Sequence, residues 1–233
     1  MKIALLGYGR MGKEIEKIAI SRGHEIVIKK EINDIIDITL ADVAIDFSVP
    51  DAAFNNISNC MKHKIPVVSG TTGWLAQYPD AVALCKQEKG AFIYASNFSL
   101  GVTIFFELNK QLAKMMSNLN DYDISMEEIH HTKKLDTPSG TAITLAEEII
   151  ANSKKENWTL GEKASVENIP IVAKRIDEVP GTHTVWYDSA VDQIEIKHTA
   201  HNRKGFALGA VVAAEWLINK TGVFGMKDVL NIS

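Results

Sequence analysis

At about 150 residues per domain, a chain of 233 residues holds one large domain or two interleaved small ones and excludes a multidomain array. Its 46% hydrophobic and 23% charged residues can fill a core and exclude a disordered chain. The net charge of -4, from 29 acidic and 25 basic side chains mixed along the sequence, lacks the basic footprint of a nucleic-acid binder, so small molecules or copies of the same chain are the expected partners.

Residues 2–6 form a short apolar run, Met11, Ile15, Ile18 and Ala19 follow on one helical face, and residues 25–30 read as a second strand, which makes a βαβ opening. Further strands are expected at 43–47, 66–69 and 91–95. Each is almost continuously apolar, as strands covered by helices on both faces must be. The predicted fold class for this part is α/β, a Rossmann-like doubly wound parallel sheet. After Phe98 the pattern changes. Phe105, Leu108, Leu112 and Met115 mark a long amphipathic helix, and the segments beyond alternate with period two.

Strands are expected there at 123–131, 169–175, 182–187 and 193–198, the last two joined by a 188–192 turn into an antiparallel hairpin. Ala142, Leu145, Ala146 and Ile149 define a helix opened by Pro138 and Ser139, and residues 206–218 a final, very apolar helix. The polar stretch 154–163 reads as a solvated loop. This second part is expected to be α+β, a new domain starting near Phe98. Cys60 and Cys85 lack CxxC spacing, which suits a reducing cytoplasm. The opening apolar run is too short for a signal-peptide core and the longest one, 206–214, is far below bilayer length, so a soluble protein without a membrane partner is expected.

Gly7, Tyr8, Gly9, Arg10, Met11 and Gly12 form a GxGxxG between a predicted strand and a predicted helix. There the first glycine permits the turn, the second lets the backbone approach a pyrophosphate, and the third lets helix and strand pack closely. Glu31, about 20 residues on at the end of the second strand, can accept from ribose hydroxyls and favours NAD. Lys29 and Lys30 beside it can neutralise the extra phosphate of NADP, so both NADH and NADPH stay open as cofactor.

The stretch 128–141 concentrates functional groups. Adjacent His130 and His131 at a strand end point to opposite faces, so one at least is available to a cleft. The helix start at Ser139, Gly140 and Thr141 offers N–H groups and hydroxyls to an anion, and Lys134 adds a positive charge. Histidine suits acid–base work near neutral pH, and lysine can neutralise a carboxylate or deliver a proton. An imine-containing dicarboxylate would use every one of these groups. A zinc site joining His198 and His201 to His130 or His183 lacks acidic or thiol ligands at a recognisable spacing, so no metal is expected, and His183 and His198 are read as structural.

The sequence resembles the dihydrodipicolinate reductase family along nearly its whole length: GYGRMG at 7–12, DVAIDFS at 42–48, SGTTGW at 69–74, ASNFSLGV at 95–102 and EEIHHTKKLDTPSGTA at 127–142. The last is close to the family signature E-x-H-H-x-x-K-x-D-x-P-S-G-T-A. The resemblance implies NAD(P)H-dependent reduction of a cyclic dicarboxylate in lysine and diaminopimelate synthesis. It implies His130 as acid–base residue, Lys134 as proton donor, and His131, Lys134, Ser139, Gly140 and Thr141 as the grip on the carboxylates. Cofactor contacts would fall on residues 7–12, on Glu31, on Gly70, Thr71 and Thr72 beside the nicotinamide, and on Ala95, Ser96, Asn97 and Phe98, flanked by Phe47 and Ser48.

It also implies that the final helix completes the first domain, giving domains at 1–98 plus 204–233 and at 99–203, the second with a mixed or antiparallel open sheet through which a homotetramer assembles. A hinge near Phe98 and Arg203 is expected to let the two domains close and exclude water. Two features depart from the family pattern. The segment between Gly12 and Asp46 is short, and Asp177 stands where many members have glycine in R-x-G. The competing readings are another two-domain nicotinamide dehydrogenase of amino-acid metabolism, against which the 130–141 block argues, and a catalytically silent nucleotide-sensing module.

Overall fold

The computed structural model describes residues 1–31, 34–202 and 204–232. Arg203, half of the expected hinge, lies outside the described residues. In chain order, the elements are β1 (Lys2–Leu6), α1 (Arg10–Ser21), β2 (Glu25–Lys30), β3 (Val43–Asp46), α2 (Pro50–Lys62), β4 (Val67–Ser69), α3 (Tyr78–Glu88) and β5 (Ala91–Tyr94). They continue with α4 (Leu100–Met116), β6 (Asp123–His130), α5 (Gly140–Ile150), β7 (Asn157–Leu160), β8 (Asn168–Arg175), β9 (Gly181–Asp188) and β10 (Gln193–Ala200). The chain closes with α6 (Lys204–Leu217), β11 (Gly222–Phe224) and α7 (Met226–Val229). It divides into two compact units, residues 1–100 with 204–233, and residues 101–203.

The first unit is the α/β part expected from the sequence. Its six strands run in the order β11-β5-β4-β3-β1-β2, and every pairing is parallel. Alternate residues of each strand feed opposite faces. Ile3, Leu5, Ile45 and Val68 join α1 and α6 in one core, while Ala4, Leu6, Ala44 and Val67 join α2 and α3 in another. The chain leaves β1 for β2 on one side and returns to β3 on the other, so the ends of β1 and β3 form the switch point where such sheets bind ligands.

Packing of α6 on its sheet is close enough to dictate residue type. A Cβ built on Gly209 would lie 1.7 Å from the Phe98 carbonyl oxygen. Gly209→Ala is expected to cost about 3 kcal/mol by overpacking, read as a lowered urea midpoint with unchanged slope.

The second unit carries the mixed sheet β10-β9-β6-β8-β7, in which β6/β8 and β7/β8 are parallel and β6/β9 and β9/β10 antiparallel. On α4 the buried Val102, Phe105, Asn109, Ala113 and Met116 recur at helical spacing, and with α5 they cover Ile124, Met126, Ile169, Ile171, Val185 and Tyr187. The 188–192 turn closes the expected β9/β10 hairpin.

Two expectations are corrected. The 154–163 stretch is not wholly loop, because Asn157–Leu160 forms β7, a four-residue edge strand whose Trp158 packs on the core. The 206–218 helix is not the last element, since β11 and α7 follow it. Elements of three and four residues are too short to carry a period. Among the described residues no helix is long and apolar enough to cross a membrane.

Candidate active site

The glycine turn sits between β1 and α1 in the first unit. Gly7 has φ +102°, open to glycine and strained for other residues, and a Cβ there would lie 2.2 Å from the Phe47 carbonyl oxygen. Gly9 differs, because a Cβ on it would meet nothing within 4 Å. It caps α1, whose first turn has neither a capping side chain nor an acidic residue, so the helix N–H groups are left for an anion. Arg10 is exposed and Met11 half-buried at the start of that helix. A cavity of about 880 Å³ opens beside the turn, lined by Gly7, Tyr8, Gly9, Phe47 and Ser48 and, at the end of β2, by Lys30 and Glu31.

The three charged side chains proposed to read the adenosine end differ in their engagement. Lys29 Nζ lies 2.6 Å from a Glu16 carboxylate oxygen and over the Tyr8 ring, and Tyr8 also donates to Glu16. Lys30 Nζ donates to Asn56 Oδ1 at 2.7 Å. Lys30 and Glu31 thus reach the cavity, while Lys29 is held beside Glu16.

The loops after β3 and β4 are tied together by a carboxylate that the sequence reading assigned no role. Asp46, fully buried, accepts from Ser48 Oγ and Asn56 Nδ2 on one oxygen and from Ser69 Oγ and Thr71 Oγ1 on the other, at 2.7 to 3.0 Å. Burial pushes its pKa up, against these four donors. The Ser48 N–H donates to Thr71 Oγ1, and Trp74 Nε1 donates to the Thr71 carbonyl. Gly70 is required because a Cβ there would lie 2.3 Å from the Phe47 ring. Thr72 and Ser96 are exposed, Ala95 and Asn97 half-buried, and Phe98 is a core residue whose ring centroid lies 5.7 Å from that of Phe47.

In the second unit, period two along β6 turns Ile124, Met126, Glu128 and His130 inward. His130 is buried and His131 half-buried, as adjacent positions at a strand end require. Glu128, fully buried, accepts from the Ser139 N–H at 2.9 Å and from Arg175 Nη2 at 3.1 Å. Its carboxylate also stands 3.7 Å from His130 Nδ1 and 3.8 Å from His183 Nε2. Ser139 Oγ accepts from the Ala142 N–H as the cap of α5 and pairs with His183 Nε2 at 3.1 Å. The polar groups of Ser139 are therefore engaged within the protein. The N–H groups of Gly140 and Thr141, in the first turn, have no intrahelical partner. Gly140 is exposed and Thr141 half-buried.

Lys134 Nζ is 2.7 Å from Asp136, whose carboxyl it holds below the usual range. Asp177, the departure from R-x-G, accepts from Thr132 Oγ1 at 2.6 Å and so joins the loop after β6 to the one after β8.

Glu128, His130 and His183 bring ligand-type atoms within 4.8 Å of one another, the single such group among the described residues. Both Glu128 oxygens already accept from Ser139 and from the cationic Arg175, an arrangement of hydrogen bonding rather than of metal coordination. His198 packs its ring 5.9 Å from Phe105, His201 is exposed, and neither belongs to the group.

Burial pushes His130 below the usual histidine range, with Lys134 and Arg175 acting the same way and Glu128 against them. Burial takes His183 down to about 3. The unfolded chain binds that proton near pH 6.5 and the folded one does not until about 3, so acid favours unfolding across that window. Stability is expected to fall by up to about 1.4 kcal/mol per pH unit there, and His183→Gln should flatten the fall in urea melts between pH 7 and 5. Equal slopes in the two proteins would refute this.

Comparison with known proteins identifies the fold and the family. A family model for the N-terminus of dihydrodipicolinate reductase matches residues 17–98, and one for its C-terminus matches residues 101–230. The 4-hydroxy-tetrahydrodipicolinate reductase of Christiangramia forsetii is 63% identical, with 99% of this chain and 98% of that protein aligned. That of Thermosipho africanus is 36% identical over the same shares. Among solved structures, a dipicolinate-bound dihydrodipicolinate reductase from Paenisporosarcina sp. TG-14 has the same fold, with a TM-score of 0.79, 21% identity and 100% and 99% of the two chains covered. The chain belongs to the dihydrodipicolinate reductase family.

Proposed function

We propose that this protein reduces 4-hydroxy-tetrahydrodipicolinate to tetrahydrodipicolinate in lysine and diaminopimelate synthesis, using NADH or NADPH. The observation that carries the reading is the cluster at the end of β6, where a buried imidazole, an ammonium and the start of helix α5, whose first N–H groups have no intrahelical partner, belong to one unit. Net reaction is uptake of a hydride and a proton with loss of the 4-hydroxyl as water.

The glycine turn fits a dinucleotide, because the space a Gly9 side chain would fill is open and the first N–H groups of α1 lack a side-chain cap. Residues 7–12 would hold the pyrophosphate, and residues 47–48, 70–72 and 95–98 the nicotinamide end. When bound, the reduced nicotinamide supplies the hydride. Lys30 and Glu31 both line the cavity, which supports use of both cofactors, a lysine for the extra phosphate and a carboxylate for the ribose hydroxyls.

His131, Lys134 and the N–H groups of Gly140 and Thr141 grip the two carboxylates and fix the ring. Ser139 supports this grip from beneath, through its cap. His130 and Lys134 hold the proton that the ring takes up as negative charge develops. The substrate domain, residues 99–203, also carries the homotetramer contacts in this reading, and the protein works in the cytoplasm.

The test is the initial rate of NADH and of NADPH oxidation on substrate generated in place by dihydrodipicolinate synthase. Oxidation with both is expected, and none with either would refute the reading. Sedimentation showing only monomer would refute the tetramer.

A further inference from the structure

We propose that Glu128 is a positioning residue that holds the His130 ring and the 139–141 turn as one unit. One buried carboxylate does both. Through the Ser139 N–H it anchors the start of α5, and through Arg175 it anchors the preceding loop, because Arg175 Nη2 also donates to the Asp136 carbonyl and to Thr137 Oγ1, both at 2.7 Å. It also faces two imidazoles, that of His130, two residues along the same face of β6, with Nδ1 at 3.7 Å, and that of His183, with Nε2 at 3.8 Å.

The imidazole has little room to turn. The His183 ring stands edge-on with centroids 5.0 Å apart, and a Cβ on Gly181 would lie 3.1 Å from His130 Nε2. Nδ1 is buried and faces the carboxylate without another partner.

The charge of Glu128 matters as much as its shape. His130 is faced by Lys134 and Asp136 from the loop after β6, by Arg175 from β8 and by His183 from β9. The ammonium and guanidinium resist a proton on the imidazole, and burial resists it further. Glu128 is the nearest negative group, so it lets His130 cycle between neutral and protonated in a site built to attract anions. A neutral residue of the same size would keep the packing and lose this compensation.

The inference rests on the reading of His130 as the proton carrier, and its test does not depend on turnover. In Glu128→Gln, the His130 titration followed by NMR of its ring should fall by about one pH unit or more. The corresponding limb of the kcat profile should move with it, and KM for the dicarboxylate should rise as the 139–141 turn loosens. Glu128→Asp, which restores the charge on a shorter stem, should recover the titration and not KM.

Arg175→Gln should move the His130 titration upward, because it leaves Glu128 in place and removes a cation that opposes the proton. This second variant decides the matter if Glu128→Gln does not fold. An unmoved titration in Glu128→Gln with only a lowered melting temperature, or a downward shift in Arg175→Gln, would overturn the proposal. Full turnover in His130→Gln would instead remove the catalytic reading and leave the coupling of Glu128 to His130 standing.

Discussion

His130→Gln should lower kcat by about a hundredfold to ten-thousandfold while leaving the dissociation constant for NADH unchanged. The imidazole lies in the second unit, on β6, and the glycine turn lies in the first, on β1 and α1, so the substitution would remove the proposed proton transfer and leave every residue of the proposed pyrophosphate cradle unchanged. Glutamine keeps a polar end of similar reach facing Glu128, which limits collateral loss of packing. Single-turnover rates separate the effect on chemistry from substrate binding. Lys134→Ala should reduce kcat and also raise KM, since its ammonium would both hold a carboxylate and share the proton. A parallel loss of NADH affinity in either variant would count against these roles.

Replacement of Gly9 by valine should do the reverse. Apart from its two chain neighbours, no residue comes within 4 Å of a Cβ at that position, so the fold has little reason to respond and the melting temperature should hold. The side chain would occupy the approach to the first N–H groups of α1. The loss of one or two charge-assisted hydrogen bonds weakens NADH binding by about a hundredfold or more. Gly7→Ala is the control, because φ +102° and the Phe47 carbonyl 2.2 Å away make that change a defect of folding first. Fluorescence titration with NADH, together with thermal melts, distinguishes the two. Undiminished binding in Gly9→Val would remove the turn from the cofactor site.

Strong periods were legible. The strands of the first unit read as almost unbroken apolar runs because both faces are covered, and α5 showed its inner face at helical spacing, whereas α4 was recognised as a helix by an apolar series of which Phe105 is buried and Leu108 and Met115 are exposed, its inner face being Val102, Phe105, Asn109, Ala113 and Met116. What escaped was short or polar at its borders. β7 has charged flanks, and β11 and α7 hold three and four residues. The helices α2 and α3 were implied only as cover for the sheet. Their starts carried usable signals, a proline in the first turn followed by Asp51 or Asp80.

At the candidate site, the residues proposed to carry chemistry stood out as a dense motif, whereas the side chains that hold them did not. Asp46 closes an apolar strand, and Glu128 sits at an inward register of β6 between Met126 and His130. A charge at a position where the pattern demands an apolar residue was the available signal. His183, read as structural, stands beside His130 through strand pairing that no local spacing encodes. Sequence separation hides such partners until register is known.

The parallel sheet is completed by residues synthesised after the whole of the second unit. Helix α6 covers one of its faces through Ala207, Ala210, Val211 and Ala214, and β11 caps its edge beside β5. A nascent chain that has emerged only as far as residue 200 therefore carries a half-clothed sheet, with apolar surface and an unpaired strand edge in contact with water. The intervening segment can complete its own core meanwhile, since none of its strands belongs to that sheet. Biogenesis then favours an inner module that matures before the outer one, and the interval before residues 204–224 emerge is that of greatest exposure to aggregation.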